Sequence, residues 1–265
     1  MTAEETLCQE SGNMIKTFLD GKKPLVAMIQ CRTADECIKK IKRSISDGAE
    51  ALGIQLCQLS RNERTDENLK AIFDACQDKP IYITSYRYNE STGMSDGECV
   101  KLLLKGLDFG ATLLDVPGDL FDKNSYQMTE DETAVKLQKE LVEKIHNNGG
   151  EVLISTHDFR ELTADEIFGI AKLQSNHGAD IIKIVVKAEN ENMLPEYIKA
   201  IQKINREIKK PVLFLDVGVC SNILRKVGPD LGTCMYLCVE SHNKLDTPAQ
   251  PVLKNLKLIK ENMRG

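Results

Sequence analysis

The chain has 265 residues, a formal net charge of -5 and 42% hydrophobic residues, which suits one large α/β domain with a sizeable core. The mild acidity argues against a nucleic-acid surface, and no segment approaches the roughly 20 consecutive apolar residues of a membrane span. Residues 1–6 are acidic and lack the basic and then apolar profile of a signal peptide, so we expect a cytoplasmic protein.

The cysteines are scattered along the chain, and no C-x-x-C pair occurs among the nine. Cys234 and Cys238 lie close together in sequence, but no second pair is present to complete a zinc site. An odd number of cysteines in a cytosolic chain is typical of reduced thiols. The sequence therefore predicts no metal centre.

Apolar runs rich in Val, Ile and Leu alternate with amphipathic segments from residue 25 to the end. Short and nearly continuous apolar runs are typical of parallel strands that are buried on both faces. We predict eight strands, of which the last is the least regular, at 25–31, 51–57, 80–84, 112–116, 151–156, 180–186, 211–217 and 234–239.

The segments between these strands have helical periodicity, and four of them begin with a capping-box motif. In this motif a Ser or Thr hydroxyl caps one backbone amide, and a Glu three residues later caps another. The motifs span 33–36, 95–98, 129–132 and 163–166. Glycines stand where the helices should end, before the next strand, at Gly48, Gly110, Gly149 and Gly178.

Eight strand–helix repeats without a long linker favour a single TIM (β/α)8 barrel over a doubly wound sheet. No G-x-G-x-x-G or Walker lysine motif follows any strand, which argues against a nucleotide-binding fold. We predict one domain over residues 1–265. Residues 1–24 precede the first strand and are predicted to cover the N-terminal end of the barrel.

Two of the predicted strands are each interrupted by one ionisable residue, His157 in the fifth and Lys183 in the sixth. Neighbouring parallel strands would carry both side chains toward the C-terminal face, where TIM-barrel active sites form. Burial in an apolar barrel disfavours the charged form of a lysine and leaves an amine that can form a Schiff base with a ketone. Histidine transfers protons near neutral pH. The alternatives are a structural, hydrogen-bonded histidine and an ion-paired barrel lysine.

The segments ISTHDF at 154–159 and GADIIKI at 178–184 resemble the central signature of type I 3-dehydroquinate dehydratases. Members of that family are TIM barrels that use a Schiff-base lysine and a general acid/base histidine. Weaker similarity extends over most of the chain, at KKPLVAM (22–28), KPIYIT (79–84), GPDLGT (228–233) and PAQ (248–250).

The resemblance implies a role for five residues at matching positions. Lys183 would form the Schiff base, His157 would act as the acid/base, and Glu90 would orient the histidine. Arg225 would bind the substrate carboxylate, and Gln250 would close over the substrate. The resemblance implies no metal and no organic cofactor.

The chain departs from the family pattern where the family reads its substrate. The second strand's Glu-x-Arg-x-Asp is Gln-Leu-Cys-Gln-Leu here, and the third strand's Thr-x-Arg has a tyrosine for the arginine, with Arg87 one place late. The fourth strand's Asp-x-Glu ends in proline, and the seventh strand's Met-Gly or Met-Ala is Asp-Val. We keep Gln55 and Arg87 as candidate substrate-binding residues. The altered positions are Gln55, Cys57, Leu59, Tyr86, Pro117, Asp216 and Val217.

The function that the resemblance implies is conversion of 3-dehydroquinate to 3-dehydroshikimate in the shikimate pathway. One alternative is a related imine-forming lyase or dehydratase that acts on a different β-hydroxy ketone, such as an oxidised sugar or cyclitol. Others are a catalytically silent binding barrel and a Schiff-base aldolase. We expect the partner to be a small ketone bound covalently through lysine, and we expect no binding to nucleic acid or membrane. A homodimer is possible, because it is common in the family that the chain resembles.

Overall fold

The structure is a computed structural model that describes residues 18–263. Eight strands each precede a helix, which confirms the predicted order, and the strand ends differ from the prediction by a residue or two. The strands are β1 Leu25–Ile29, β2 Ala51–Gln55, β3 Ile81–Thr84, β4 Leu113–Pro117, β5 Glu151–His157, β6 Ile181–Val186, β7 Val212–Asp216 and β8 Tyr236–Cys238. The helices are α1 Ala34–Ser46, α2 Asp66–Asp74, α3 Asp96–Asp108, α4 Glu132–Asn147, α5 Ala164–Asn176, α6 Leu194–Glu207, α7 Ser221–Leu231 and α8 Leu253–Asn262.

All eight strands are parallel and belong to one sheet, in the spatial order β7-β6-β5-β4-β3-β2-β1-β8. The two ends of this order, β7 and β8, meet where the backbone N–H of Cys234 donates to Val212 O at 2.8 Å. Within residues 18–263, strand ladders join every other neighbouring pair but not β7 to β8. The sheet is curled as in a TIM barrel, with the helices outside, so the predicted fold class is confirmed.

Inward-facing side chains follow the period of two along each strand and change character from one end of the barrel to the other. Near the strand N-termini they are apolar, and Val26, Leu113, Ile181 and Leu213 belong to one buried cluster. Toward the C-terminal ends the same faces carry polar groups. Lys183, two residues after Ile181, is the inward residue of the next layer. The apolar layers therefore form a floor beneath a polar mouth.

The helix starts agree with three of the four predicted capping boxes, whose caps are Thr33, Ser95 and Thr163. The fourth prediction is wrong: α4 is capped by Asp131, whose side chain accepts from the N–H of Ala134. The Thr129 hydroxyl is engaged elsewhere, because it donates to Asp122 Oδ2 at 2.5 Å. The predicted stop glycines are confirmed, and each has left-handed backbone, with φ of 99° at Gly48, 104° at Gly110, 80° at Gly149 and 103° at Gly178.

Residues 1–17 lie outside the described residues, so most of the predicted N-terminal extension does too. Phe18, the first described residue, is buried in the apolar cluster near the strand N-termini. The described cysteines are free thiols, and Cys8 lies outside the described range. In the part of the chain that the structure describes, no helix is long and apolar enough to cross a bilayer, and no three His, Cys, Asp or Glu side chains cluster as metal ligands.

Candidate active site

A pocket of about 190 Å³ opens among the C-terminal ends of the strands, as the barrel geometry requires. The strand register pairs Ser155 with Lys183 and His157 with Val185. His157 therefore lies one inward layer nearer the mouth than Lys183, on the neighbouring strand. Five of the seven predicted site residues line the pocket: Lys183, His157, Gln55, Arg225 and Gln250.

Lys183 is buried, with 5% of its surface exposed, and its ammonium group is surrounded by oxygen atoms. Nζ lies 2.8 Å from Asp115 Oδ2, 2.7 Å from the Tyr86 hydroxyl and 3.0 Å from the Tyr82 hydroxyl. Its backbone is clamped by the buried Gln174 of α5, whose Oε1 accepts the Lys183 N–H at 3.1 Å and whose Nε2 donates to the Lys183 carbonyl at 2.9 Å. The expectation of apolar surroundings for this lysine is wrong, because it faces a carboxylate.

Asp115 holds this cluster together from the inner face of β4, where it is fully buried. Its Oδ2 accepts from the Tyr86 hydroxyl at 2.6 Å and from the Tyr82 hydroxyl. Burial alone would raise the pKa of Asp115, but the Lys183 cation outweighs it and the net pKa lies below the usual value. Burial and the Asp115 charge raise the pKa of both tyrosines well above their usual value. The phenols therefore remain protonated donors to an ionised carboxylate.

The Tyr82 ring occupies space that a glycine on the next strand leaves free. A Cβ at Gly53 would lie 2.2 Å from Met28 Sδ and 3.2 Å from Tyr82 Cδ1. Real Cβ atoms do not approach a fixed neighbour so closely, so the missing side chain on the inner face of β2 gives the Met28 and Tyr82 side chains their room. This local choice allows a tyrosine hydroxyl to reach Lys183 from β3.

His157 is held by a residue that the sequence did not indicate. The side-chain oxygen of Gln127, in the loop between β4 and α4, lies 2.9 Å from His157 Nδ1 and accepts the His157 backbone N–H at 3.1 Å. Burial, reinforced by the nearby Lys183 cation and partly offset by Asp115, lowers the pKa of His157 to about 3. The imidazole is therefore neutral at neutral pH and able to accept a proton.

The structure does not bring Glu90 to His157, which corrects its predicted role. The carboxylate of Glu90 pairs with Arg32, and its backbone carbonyl accepts from Arg61 Nε at 2.8 Å. Asn89–Ser91 is a short 3-10 helix beyond the end of β3, and Glu90 is absent from the pocket lining. Arg32, which lies outside the pocket, attracts the Glu90 carboxylate away from the histidine. The side chain of Gln127 contacts the imidazole instead.

Arg87 likewise lies outside the pocket lining, where its guanidinium ties two loops together. Nη1 donates to Asp119 Oδ1 at 2.8 Å, and Nη2 donates to the Asp119 carbonyl at 2.8 Å and to Asp96 Oδ2 at 3.0 Å. These partners belong to the loop after β4 and to the start of α3. The guanidinium is occupied by the protein itself, so the prediction that Arg87 contacts substrate is not supported by the geometry.

Arg225 and Gln250 line the pocket from the segments that follow β7 and β8, and they have few partners. Arg225 is 5% exposed, and its Nε donates to the Asp216 carbonyl at 2.9 Å. Burial, partly offset by Asp216, lowers the pKa of Arg225 to about 10, so it stays charged at neutral pH. Its two terminal nitrogens make no hydrogen bond to any described residue. Gln250 Oε1 accepts from Gln30 Nε2 at 2.8 Å.

Sequence reasoning missed the four partners of the lysine and the histidine, which are Asp115, Tyr82, Tyr86 and Gln127. Tyr82 and Tyr86 contact Lys183, and the ring of Tyr86 stacks on Tyr88 with centroids 5.0 Å apart. Strand parity could have placed Tyr82 on the inner face, two residues before Thr84. Gln127 carries no such signal, because it lies in a loop without periodicity.

The type I 3-dehydroquinase family model matches residues 25–263. The 3-dehydroquinate dehydratase of Alkaliphilus oremlandii is 28% identical over 121 residues, which cover 45% of this chain and 47% of that protein. The enzyme of the same name from Neisseria gonorrhoeae is 27% identical over 167 residues, which cover 62% of this chain and 61% of that protein. These matches thus span about half to three fifths of the relatives' length.

Solved structures show the same fold. The type I 3-dehydroquinate dehydratase of Clostridium difficile superposes with a TM-score of 0.77 at 20% identity, covering 92% of this chain and 94% of that one. The 3-dehydroquinate dehydratase of Geobacillus kaustophilus gives a TM-score of 0.78 at 14% identity, covering 92% and 91%. From the family match over nearly the whole described range, the chain belongs to the type I 3-dehydroquinase family.

Proposed function

We propose that the chain is a Schiff-base dehydratase that converts 3-dehydroquinate to 3-dehydroshikimate. The observation that carries this proposal is the meeting of Lys183 and His157 in one pocket, with the unpaired end of Arg225 in the same lining. The pocket supplies a nucleophile, a proton acceptor and an anion-binding group, which are the three parts that the reaction requires. No metal or organic cofactor enters the proposed reaction.

The first step joins the lysine to the ketone. The Lys183 ammonium passes one proton to Asp115, and the neutral amine attacks the carbonyl carbon. Asp115 then returns the proton to the hydroxyl of the adduct, which leaves as water while an iminium ion forms. An ammonium group and a ketone together give one iminium and one water, so the charge and the protons of the site are conserved overall. Asp115, 2.8 Å from Nζ, is ionised again once the iminium has formed and stabilises that cation.

The second step is the loss of water from the substrate. Neutral His157 removes a proton from the carbon next to the iminium carbon, and the electron pair forms an enamine. The enamine expels the β-hydroxyl, which leaves as water with the proton that His157 returns. Hydrolysis of the iminium then frees the unsaturated ketone and restores the lysine.

The side of the pocket that follows β7 and β8 is proposed to bind the substrate carboxylate. The terminal guanidinium nitrogens of Arg225 are free, and a planar guanidinium pairs with a carboxylate through two parallel hydrogen bonds. Gln250 follows β8 on the same side, and Gln55 is half-buried in the lining beside the tyrosines. Both can hydrogen-bond to hydroxyl groups without adding charge.

Reductive trapping tests the proposal directly. The protein is incubated with 3-dehydroquinate and sodium borohydride, and its intact mass is measured. We expect a stable adduct in the parent chain and none in Lys183→Ala. Lys187→Ala is the matched control, because Lys187 follows β6, is exposed and pairs with Glu189, so its adduct should persist. An adduct that survives in Lys183→Ala contradicts the proposal.

A specific observation favours a second candidate, a related dehydratase for a different β-hydroxy ketone. Gln55, Cys57, Tyr86 and Pro117 stand where the family resemblance leads one to expect charged residues. Loss of a hydrogen-bonded charge from such a site typically costs about 2–4 kcal/mol of binding or transition-state stabilisation. Trapping of an oxidised sugar or cyclitol, without trapping of dehydroquinate, would assign this substrate class. If neither is trapped, a silent binding barrel is favoured.

A further inference from the structure

We propose that Gln127 is a positioning residue that holds the neutral imidazole of His157 in the tautomer protonated on Nδ1 and leaves Nε2 as the basic nitrogen. Its importance for turnover rests on the proposed function. The tautomer itself follows from the geometry of three atoms and can be measured without any reaction.

The identity of the contacting atom is fixed by the backbone. The side-chain oxygen and nitrogen of a glutamine are hard to distinguish by shape, and hydrogen-bond partners must decide between them. The backbone N–H of His157 lies 3.1 Å from Gln127 Oε1 and is always a donor, so the atom facing it must be the carbonyl oxygen. The amide nitrogen cannot occupy this position, because two donors would then face each other.

The same oxygen fixes the protonation of the ring. His157 Nδ1 lies 2.9 Å from Gln127 Oε1, and a carbonyl oxygen only accepts, so Nδ1 must carry a proton. A neutral imidazole has one N–H group. Nε2 is therefore the unprotonated nitrogen, and a general base needs its lone pair at that position.

The main chain of Gln127 is tied to the same strand as its side chain. The hydroxyl of Thr156, next to His157 on β5, donates to the Gln127 carbonyl at 3.1 Å. A Cβ at Gly118 would lie 2.8 Å from that carbonyl oxygen, so the loop packs here against a residue without a side chain. Gln127 itself adopts left-handed backbone, with φ of 49°. Two consecutive residues of β5 thus anchor both ends of Gln127.

The rest of the loop is braced independently. The Asn124 side chain donates to the Met128 carbonyl at 2.9 Å and accepts from the Tyr126 N–H at 3.1 Å. Arg87 holds Asp119 at the start of the same loop, with Nη1 and Oδ1 2.8 Å apart. Arg87 therefore acts through the segment that carries Gln127, away from the substrate.

The partner is an amide where the family resemblance leads one to expect a carboxylate. A carboxylate on Nδ1 would stabilise the imidazolium, whereas an amide fixes the tautomer without adding negative charge. The charged groups facing His157 are Lys183 on β6, which disfavours the imidazolium, and Asp115 on β4, which favours it. Tyr86 on β3, whose ring meets the imidazole edge-on at 5.2 Å, is neutral. Because the amide adds no negative charge, the imidazole of His157 remains in its neutral, basic form.

The first experiment uses the isosteric change Gln127→Glu in the full chain. A carboxylate can accept from the same two N–H groups, so the shape is kept and a charge is added. The ring nitrogens of the four histidines are followed by nitrogen-15 NMR against pH, and His157→Asn assigns the signal. We expect the Nδ1–H tautomer in the parent protein and a titration that moves upward by about one pH unit or more in Gln127→Glu.

The second experiment measures turnover of the trapped substrate. Gln127→Ala should lower kcat by roughly 10-fold or more with little change in KM, because the base loses its orientation while the binding wall is intact. Gln127→Glu should recover much of kcat and move the acidic limb of the rate profile upward. Gln77→Ala is the control, since Gln77 is also left-handed, with φ of 58°, but exposed on the surface.

The outcomes separate this inference from the proposed function. An Nε2–H tautomer, or a His157 titration that is unmoved in Gln127→Glu, overturns the role of Gln127 whether or not the protein turns over dehydroquinate. A confirmed tautomer with no trapped dehydroquinate retains the positioning role and rejects the substrate. Equal kcat in Gln127→Ala and the parent also overturns the inference.

Discussion

The two sides of the pocket differ in how far the protein pairs the hydrogen-bond donors of the cation that each side carries. On one side, every hydrogen of the Lys183 ammonium has an oxygen within 3.0 Å, and Gln127 holds the histidine. On the other side, Arg225 uses one nitrogen on the protein, and its two terminal nitrogens have no partner among the described residues. We name them the paired wall (Asp115, Lys183, His157, Tyr82, Tyr86 and Gln127) and the open wall (Arg225 and Gln250).

This difference indicates a division of labour. Groups that the fold pairs internally are held in place before substrate arrives, as catalysis requires. Groups that the fold leaves unpaired gain their partner from the ligand. Substitutions in the paired wall should therefore lower the free energy of unfolding, and substitutions in the open wall should mainly weaken binding.

The largest expected effect is that of Lys183→Met. The change leaves the Asp115 carboxylate without its cation in a fully buried position, which typically costs about 3–5 kcal/mol. Urea denaturation measures it. The double variant Lys183→Met/Asp115→Asn removes the stranded charge and should recover a large part of the loss. An unchanged denaturation midpoint in the single variant would contradict the claim that the paired wall contributes more to stability than the open wall.

Arg225→Met tests the open wall. We expect the dissociation constant for a carboxylate-bearing substrate to rise about 100-fold, since two charge-assisted hydrogen bonds are lost. The free energy of unfolding should change by less than about 1 kcal/mol, because the guanidinium makes one hydrogen bond to the protein and its burial is itself costly. Calorimetric titration and denaturation measure the two quantities. Arg206→Met is the control, because Arg206 is exposed and pairs with Glu207. A large loss of stability in Arg225→Met with unchanged binding would contradict the assignment of Arg225 to the open wall.

Acidification should weaken the paired wall through His157. The folded pKa is lowered from 6.5 to about 3, so below pH 6.5 the unfolded chain takes up a proton that the folded chain does not. The free energy of unfolding should therefore fall as the pH decreases from 6.5 toward 3, by up to about 1.4 kcal/mol per pH unit from this group. Denaturation of the parent chain and His157→Asn at several pH values isolates the contribution. Parallel curves for the two proteins would contradict it.

Among the changes to the paired wall, Tyr86→Phe should have the smallest effect on stability. It removes one hydroxyl that donates to Asp115 at 2.6 Å and accepts from Lys183 at 2.7 Å, and such a loss typically costs about 1–2 kcal/mol. Tyr126→Phe, on a ring that is 52% exposed, should change stability little. Equal denaturation midpoints for the two variants would show that the phenol is not part of the paired wall.

The strands and their inward faces could be predicted from the sequence because both depend on local periodicity. The alternation of inward and outward side chains along β5 and β6 is enough to predict that His157 and Lys183 point into the same space. The capping prediction at Thr129 failed because Asp122 engages its hydroxyl and a stronger cap, Asp131, follows two residues later.

The partners of the two catalytic candidates could not be predicted in the same way. Tyr82 and Asp115 meet Lys183 across the interior, at distances that depend on the diameter of the barrel and on the space left by Gly53. Gln127 reaches His157 through the path of a loop and one left-handed residue. The family resemblance assigned Glu90 a position along the chain but not the direction of its side chain. The Arg32 cation, outside the pocket, determines where the Glu90 carboxylate lies.

The junction of β7 and β8 has a mechanical consequence. Among the described residues, every other pair of neighbouring strands is joined by a ladder of backbone hydrogen bonds. This junction is joined near the strand starts by the backbone hydrogen bond between Cys234 and Val212. Fewer hydrogen bonds break when these two strands separate than when any other neighbouring pair does. Local opening of the barrel is therefore easiest at this junction. Arg225 and Gln250 are carried by the segments that follow β7 and β8. The mouth should therefore open more easily on the side that is proposed to bind the carboxylate than around Lys183.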